Sequence, residues 1–448
     1  MHQRILITVF LSLILINSPS LAQTPADEMI HTVSVICPQL AALNASGMLN
    51  ATEQDLFHSC RDVLNEPVSS VQQHAAGQIT SEETQTMSVL SVEIASAQKL
   101  AILSRLATLR GSGAPGALAF HQDTPFDPRR LFAGPVSVSN KSSSVEPFKS
   151  RLNFFVNGNY STGDRDATVN EPGFDYDGKE FTFGADYQLS NDFVVGVAFG
   201  YGKTDADIDS NGGDVDLDGY GLSLFSSYAL DNFYFDLIGT YGRKDYETVR
   251  HVAYTITSQV TPGTMTTVDQ TFESDTDANE WALSLGASYN YIRSGLTVSP
   301  QVRLNYYNSQ IDGYTETLQN PNTNPGYGLG LAVDDQDITS FTSNLGSRVT
   351  YAVKTGFGVV TPHFRAEWAH EFKNDARTIT ASYINGSQTT GNIINIPGDE
   401  PDRDYFNLGA GVSAVFPHGI MAFIDYATIL GLEDITSHVY TAGVRVEF

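Results

Sequence analysis

The chain has 448 residues, of which only 17% are charged, and its formal net charge at pH 7 is −26. Soluble proteins usually carry about 25% charged residues, so this composition is poor in charge. The negative balance excludes nucleic acid as the main partner, because phosphate backbones require a basic surface.

The first residues predict export from the cytoplasm. The apolar stretch "ILITVFLSLILI" spans residues 5–16, follows Arg4 and precedes the small residues Ser20 and Ala22. This arrangement is typical of a cleaved secretory signal peptide, here residues 1–22. No apolar run reaches the roughly 18 residues that a membrane-spanning helix requires.

Residues 23–110 predict a small α-helical domain. The stretches 52–55 and 80–83 have the form of helix capping boxes, and each precedes a segment with helical periodicity. A further helix is expected over about residues 26–44, with an interruption at Pro38. The sequence therefore predicts three helices in this domain.

The two cysteines of the chain, Cys37 and Cys60, are expected to pair. Export places them in an oxidising compartment, where a disulfide between the first two helices is the default. A metal site would require further ligands, and the ten histidines show no metal-like spacing. We therefore expect no metal and no cofactor.

Residues 111–147 are rich in Gly, Pro and Ser and show no periodicity, which predicts a linker. At roughly 3.3 Å per residue the extended linker reaches about 120 Å, enough to run through the lumen of a barrel.

From Arg151 onward the periodicity is two, which predicts a β-barrel over residues 148–448. In "WALSLGASYNY", residues 281–291, apolar and aromatic residues alternate with Ala, Ser, Gly and Asn. Successive side chains of a strand point to opposite faces. An apolar face with aromatic ends suits lipid, and a face with Arg, Glu, Gly and Ser suits a wet lumen. The fold expected is an all-β, twelve-stranded antiparallel transmembrane barrel preceded by the helical domain.

Short and long connections alternate along the predicted barrel. Short turns belong in the periplasm and long loops outside, so both ends of the barrel are expected in the periplasm. The strands near 245–275 carry a polar stretch that predicts a hairpin extending beyond the membrane. The predicted strands lie near 151–160, 174–189, 192–204, 216–230, 233–246, 273–291, 295–310, 338–353, 356–373, 402–416, 419–430 and 436–448.

Six charged residues fall on the face predicted to line the lumen. They could pair with one another and with water, restrict the passage of solutes, or contact an internal helix. They are Asp236, Arg303, Arg365, Glu367, Asp425 and Arg445.

The stretch "TDADIDSNGGDVDLDGYG" predicts an acidic extracellular hairpin with its turn at residues 211–213. It does not match an EF-hand, because Ser210 stands where the sharp-turn glycine is required. Its carboxylates could bind Ca²⁺, bridge to lipopolysaccharide through divalent cations, or simply be solvated. They are Asp205, Asp207, Asp209, Asp214, Asp216 and Asp218.

No catalytic motif stands out, so no enzymatic activity is expected. The sequence contains neither Gly-x-Ser-x-Gly nor Gly-Asp-Ser, and the segments between the helices and the barrel hold no cluster of His, Asp and Ser.

Residues 148–448 resemble the translocator barrel of the autotransporter (type V secretion) family. The resemblance is carried by "GYGLSLFSSYALDNFYFDLIGTYGRKDY", "TPHFRAEWAHEFKND", "LGAGVSAVF" and the terminal "TSHVYTAGVRVEF". It implies an outer-membrane barrel surrounded by lipid and lipopolysaccharide, escorted by periplasmic chaperones and inserted by the barrel-assembly machinery. The resemblance also implies that this machinery reads alternating residues of the last strand: Tyr440, Ala442, Val444, Val446 and Phe448.

The family carries a passenger N-terminal to the barrel, and here that region is short and helical. Residues 111–160 lack the Asn-Asn pair at which many relatives cut themselves, so autocleavage is not expected. Two functions stay open at this point. The barrel could translocate or anchor the helical domain at the surface as an adhesin or interaction module for an unidentified ligand. Alternatively, it could be a channel or structural barrel whose helical segment plugs the lumen or stays periplasmic.

Overall fold

The protein is described by a computed structural model over residues 24–80, 83–111, 151–373, 375–416 and 420–447. The predicted signal peptide, the linker beyond Gly111 and the terminal Phe448 lie outside the described residues.

Twelve antiparallel strands form a closed barrel, in which each strand pairs with its neighbours in chain order. The strands are β1 (Leu152–Arg165), β2 (Phe174–Gln188), β3 (Phe193–Ile208), β4 (Gly213–Leu230), β5 (Phe233–Thr257), β6 (Met265–Tyr289), β7 (Leu296–Ile311), β8 (Gln336–Tyr351), β9 (Gly358–Glu371), β10 (Asp404–Val415), β11 (Ile420–Leu430) and β12 (Ile435–Glu447). The barrel closes where β1 pairs with β12, from Asn153 opposite Glu447 to Arg165 opposite Ile435. The predicted twelve-stranded barrel is therefore confirmed.

The side chains of the strands alternate between the two faces of the wall as the sequence predicts. On β6, Trp281, Leu283 and Leu285 are 60%, 45% and 48% exposed on the outer face. Between them Ser284 and, further along, Ser288 are only 5% exposed and face inward. The outer face is thus apolar and the inner face polar.

The strands β5 and β6 extend beyond the others as a long hairpin, paired from Phe233 opposite Tyr289 to Thr257 opposite Met265. This confirms the predicted extension. Four short strands at the same end, the long-loop end of the barrel, form a second sheet, called the outer sheet here. They are Tyr314–Thr315, Leu331–Val333, Thr378–Tyr383 and Ile394–Pro397.

The remaining short elements extend the ladders or form turns. Thr317–Leu318 pairs with β6, Tyr291–Arg293 with β7, and Val353–Thr355 with β9. Two 3₁₀ turns occupy Asp209–Asn211 and Ile384–Gly386.

Four α-helices precede the barrel within the described residues: α1 (Pro25–Ala45), α2 (Ala51–Leu64), α3 (Ser69–Gln78) and α4 (Glu83–Gly111). The helix α1 continues through Pro38 without ending there, and α3 was not predicted. Among the described residues, no helix is both long enough and apolar enough to cross a membrane.

The start of α2 differs from the prediction, which placed a capping box at residues 52–55. The capping residue is Asn50, whose Oδ1 accepts a hydrogen bond of 3.0 Å from the backbone N–H of Glu53. The Glu53 carboxylate in turn accepts one of 2.7 Å from the Asn50 backbone N–H. The predicted box was therefore wrong, because an asparagine two residues earlier caps the helix more effectively than a threonine.

The helices α1 to α3 form one compact unit at the long-loop end, called the helical cap here. Met29, Leu40 and Leu56 of the cap are fully buried, in one cluster with Phe272 of β6 and Tyr383 of the outer sheet. The cap therefore completes its hydrophobic core with barrel residues, since so short a helical unit buries too little apolar surface alone.

The disulfide Cys37–Cys60 joins α1 to α2 with a Cα–Cα distance of 5.9 Å, which confirms the predicted pairing. Both cysteines lie within the shared core.

We predict that replacing both Cys37 and Cys60 by serine lowers the free energy of unfolding of the cap by about 3 kcal/mol. The disulfide contributes this amount because it reduces the loop entropy of the unfolded chain. Hydrogen–deuterium exchange over α1 and α2 measures this effect, and protection should fall there while β1 to β4 stay protected. Unchanged protection of α1 and α2 would show that the shared core alone holds the cap.

Candidate functional site in the lumen

The helix α4 lies inside the barrel and runs along its axis. At the long-loop end, Gln85 Nε2 donates to the carbonyls of Asn170 and Pro397 at 3.1 and 2.9 Å. Farther in, Gln98 Nε2 donates to the Gly221 carbonyl at 3.2 Å. The helix has 29 residues, so it is about 43 Å long and exceeds the roughly 30 Å of a hydrocarbon core. The lumen is therefore occupied by α4, which belongs to the predicted helical domain of residues 23–110.

A run of glycines provides room for this helix on the wall formed by β3, β4 and β5. A Cβ atom added at Gly200 would lie 2.9 Å from Cδ of Gln98, so a side chain there would meet the helix. The sequence contains a signal for this, because glycine recurs at the alternate positions of these strands that face the lumen. Five glycines line the lumen side of these strands near Gln98, and two of them, Gly200 and Gly221, lie directly against its side chain. They are Gly200, Gly202, Gly219, Gly221 and Gly242.

Near the short-turn end of the barrel, a buried ion pair fixes α4. Arg105 donates from Nε and Nη2 to the two carboxylate oxygens of Asp186 at 2.6 and 2.7 Å. Both side chains are at most 2% exposed. Asn153 Nδ2 adds a third hydrogen bond to Asp186 at 2.8 Å. This bidentate arrangement fixes both the depth and the rotation of the helix.

At the opposite end, the first turn of α4 meets a second buried cluster. Arg250 of β5 donates from Nε and Nη2 to Glu316 at 2.6 Å each, and from Nη2 to the Leu329 carbonyl at 3.1 Å. Glu83 of α4 lies 4.0 Å from Arg250. This cluster ties the start of the lumen helix to the long hairpin and to the loop that follows β7.

Three carboxylates at the α2 end of the cap accept hydrogen bonds from the barrel loops. Asp55 accepts from the backbone N–H groups of Gly326 and Gly328 at 3.1 and 2.8 Å. Burial raises the pKa of Asp55, and these two N–H donors act in the opposite direction. Asp62 accepts from the Gln259 N–H at 2.7 Å, and Glu66 from the Thr257 N–H at 2.8 Å. The cap is thus clamped to the hairpin tip.

The six charged residues predicted to line the lumen do not form one site. Asp236 accepts from Ser227 Oγ at 2.8 Å, and Asp425 Oδ2 lies 2.5 Å from His363 Nε2. Arg445 of β12 is buried and lies directly opposite Phe155 of β1. The remaining three, Arg303, Arg365 and Glu367, line a common cavity.

This cavity lies beside α4 and has a volume of about 860 Å³. One side is formed by Leu100 and Leu103 of α4, and the other by the lumen face of β7 to β12. It extends from the loops at the long-loop end down to Arg303 and Arg365. A single helix therefore leaves part of the lumen open.

The predicted acidic hairpin is formed by the end of β3 and the start of β4. Asp205 lies opposite Asp216, and Asp207 opposite Asp214. Lys203 Nζ approaches Asp205 at 3.1 Å and Asp216 at 3.3 Å. Within the described residues, no group of three or more His, Cys, Asp or Glu is arranged to hold a metal ion. Cation binding by this hairpin therefore stays one of the open alternatives, beside a simply solvated loop.

The comparison with known families decides the identity of the barrel. The autotransporter β-domain family matches residues 154–427, which is more than half of the chain. The chain belongs to this family. Its members reside in the outer membrane, so the family and the outer-membrane localisation inferred from the sequence are confirmed.

Individual relatives of the chain are distant. It is 25% identical over 258 residues to the esterase EstA of Pseudomonas aeruginosa, covering 56% of this chain and 36% of that protein. It is 25% identical over 348 residues to outer membrane protein A of Rickettsia conorii, covering 70% of this chain and 16% of that protein. The chain therefore spans 36% or less of the length of these relatives.

Among solved structures, the translocator domain of the autotransporter NalP from Neisseria meningitidis matches with a TM-score of 0.50 at 14% identity. The match covers 68% of this chain and 90% of the NalP domain. At this identity the likeness shows the fold alone, an autotransporter-type barrel.

We predict that Arg105→Gln loosens the inner end of α4, because it leaves the Asp186 carboxylate buried without its cation. Breaking such a buried pair costs about 3 to 5 kcal/mol. Hydrogen–deuterium exchange over residues 98–111 should rise clearly. Lys179→Gln, at a side chain that is 68% exposed, is the matched control and should leave the exchange unchanged. Equal exchange in Arg105→Gln and the parent protein would contradict the anchoring role.

We predict that Asp214→Asn stabilises the acidic hairpin at pH 7. Burial, with the charges of Asp216 and Asp207, raises the pKa of Asp214 above 3.8, so the folded state binds a proton more tightly than the unfolded state. Stability should consequently fall as the pH rises from 3.8 through the raised pKa, and the substitution should remove this part of the loss.

Thermal unfolding of the detergent-solubilised protein at pH 4 and pH 7 measures this dependence. Asp192→Asn, at an exposed site in the short turn before β3, controls for the loss of one negative charge. If the thermal unfolding midpoint at pH 7 is lower for Asp214→Asn than for the parent protein, the interpretation is refuted.

Proposed function

We propose that this autotransporter barrel anchors its helical cap at the cell surface, where the cap acts as an adhesin or interaction module. The observation that carries the proposal is the path of the chain. The cap lies at the long-loop end, and α4 leads from it through the lumen to Arg105 near the short turns. In outer-membrane barrels the long loops face the outside.

The contacts of the cap favour a fixed module over a tethered one. Its core is continuous with residues of β5, β6 and the outer sheet, including Tyr254 and Phe272. The carboxylates of Asp55, Asp62 and Glu66 reinforce the same interface, because they accept hydrogen bonds from backbone N–H groups of the barrel. A cap that shares its core with the barrel stays with the barrel, which agrees with the expectation that the chain is not cleaved.

Assembly partners belong to the same proposal. We infer that periplasmic chaperones and the barrel-assembly machinery deliver the chain, and that lipopolysaccharide surrounds its outer half. On β12, Tyr440 and Val444 are 49% and 43% exposed on the outer face, where the assembly machinery can read them. We also propose that the chain has no enzymatic activity, as the sequence predicts. This remains a proposal because one distant relative is named an esterase.

A channel is the second candidate function, and the cavity beside α4 favours it. In that case α4 narrows a passage that Arg303 and Arg365 restrict. The two candidate functions can be distinguished by the location of the cap in intact cells.

We expect an epitope tag inserted between Gly47 and Met48, in the exposed turn between α1 and α2, to bind antibody on intact cells. A tag at Asn191 in the short turn before β3 is the matched control and should bind only after permeabilisation. If the cap tag also requires permeabilisation, surface display is wrong and the channel function leads.

A further inference from the structure

The inner end of the lumen cavity is lined by two arginines, Arg303 on β7 and Arg365 on β9. Arg348 on β8, between them, does not line the cavity, and the three are called the arginine floor here. Arg348 is directly opposite Arg365 in the register of β8 and β9. Like charges in such a position destabilise a strand pair, so this arrangement requires a compensating group.

Two nearby carboxylates also have partners of their own, and a third, Asp236, lies beside Arg303, where a Cβ at Gly286 would be 3.5 Å from its Oδ2. Asp425 lies 2.5 Å from His363, and Glu367 accepts a hydrogen bond from Gln301. Within the described residues, no salt bridge of 4.0 Å or less joins a carboxylate to any arginine of the floor. The three arginines therefore have no direct ion pair with a carboxylate of the described residues.

The guanidinium groups also keep unused hydrogen-bond donors. Nε of Arg303 and Nε of Arg365 are buried without a hydrogen-bond partner, and Arg303 as a whole is only 8% exposed. Glycines beneath them leave the space that these side chains occupy. A Cβ at Gly286 would lie 3.4 Å from Arg303 Nε, and one at Gly409 would lie 2.9 Å from Arg365 Nη2. Buried, unpaired cationic donors are costly unless a ligand meets them.

We propose that the arginine floor binds a small solute bearing a phosphate or carboxylate group, which enters the cavity from the long-loop end. The planar fork of arginine suits the oxygens of either group. The amides of Asn305, Asn344 and Asn407 also line the cavity and provide donors and acceptors for the rest of the solute. A cavity of about 860 Å³ accommodates a molecule of metabolite size.

The acidic residues at the mouth of the cavity do not prevent this binding. Arg165 pairs with Glu171 and lies 3.3 Å from Asp399, so part of the negative charge is neutralised there. Exposed charges at the mouth are screened over about 8 Å at physiological salt, whereas the buried floor is screened much less. The buried arginines therefore attract an anion inside the cavity more strongly than the screened carboxylates at its mouth repel it.

The test is calorimetric titration of the purified full chain in uncharged detergent with inorganic phosphate and, separately, with succinate. We expect saturable binding of at least one of them below about 10 mM. The probe that binds more tightly identifies the phosphate or the carboxylate as the recognised group.

Two arginine variants and one glutamate variant should change the binding affinity in opposite directions, and a fourth variant is the control. Arg303→Gln and Arg365→Gln should weaken binding about tenfold, the usual effect of losing a charged hydrogen bond. Glu367→Gln should tighten binding, because it removes the negative charge that lines the same floor. Arg293→Gln, at an exposed site near the short turns, should change nothing.

The proposal fails if neither probe saturates in the parent protein, or if Glu367→Gln weakens binding as the arginine variants do. The Glu367→Gln arm also decides the outcome if either arginine variant does not fold.

Discussion

The closure of the barrel is the constraint on which the rest of this structure depends. Lipid offers no hydrogen-bond partners, so an unpaired strand edge in the membrane costs several kcal/mol for each group left unsatisfied. The antiparallel pairing of β1 with β12 removes both edges. Once the wall is closed, the period-two pattern has a fixed meaning: apolar side chains face lipid, and polar ones enclose a lumen that must be filled with something other than lipid.

Two halves of the wall fill that lumen in different ways. The half formed by β3 to β5 presents glycine, and α4 lies against it with Gln98 in contact with the wall. The half formed by β7 to β12 presents long charged and amide side chains that do not reach the helix across the whole space, and the cavity remains between them. The distribution of glycine and arginine around the barrel thus decides where the helix lies and where space is left.

The strands, their faces and their number could be predicted because lipid imposes the same alternation on every strand, as Trp281 and Ser284 illustrate. The place of α4 could not, because a helical period looks alike in a domain core and in a lumen. The pairing of Arg105 with Asp186 depends on how far the helix enters the barrel, which no local pattern encodes. The start of α2 was misplaced for a different reason: Thr52 also fits a capping box, but Asn50 is the stronger cap and begins the helix two residues earlier.

The course of α4 also gives the molecule a mechanical character. A pull on the helical cap, directed away from the membrane, acts along the axis of α4 and is resisted near its inner end by the hydrogen bonds between Arg105 and Asp186. The shared core and the clamp on the long hairpin bear the same load in parallel, so these contacts must fail together instead of one after another. A rigid stem inside a rigid wall therefore makes the helical cap resistant to traction.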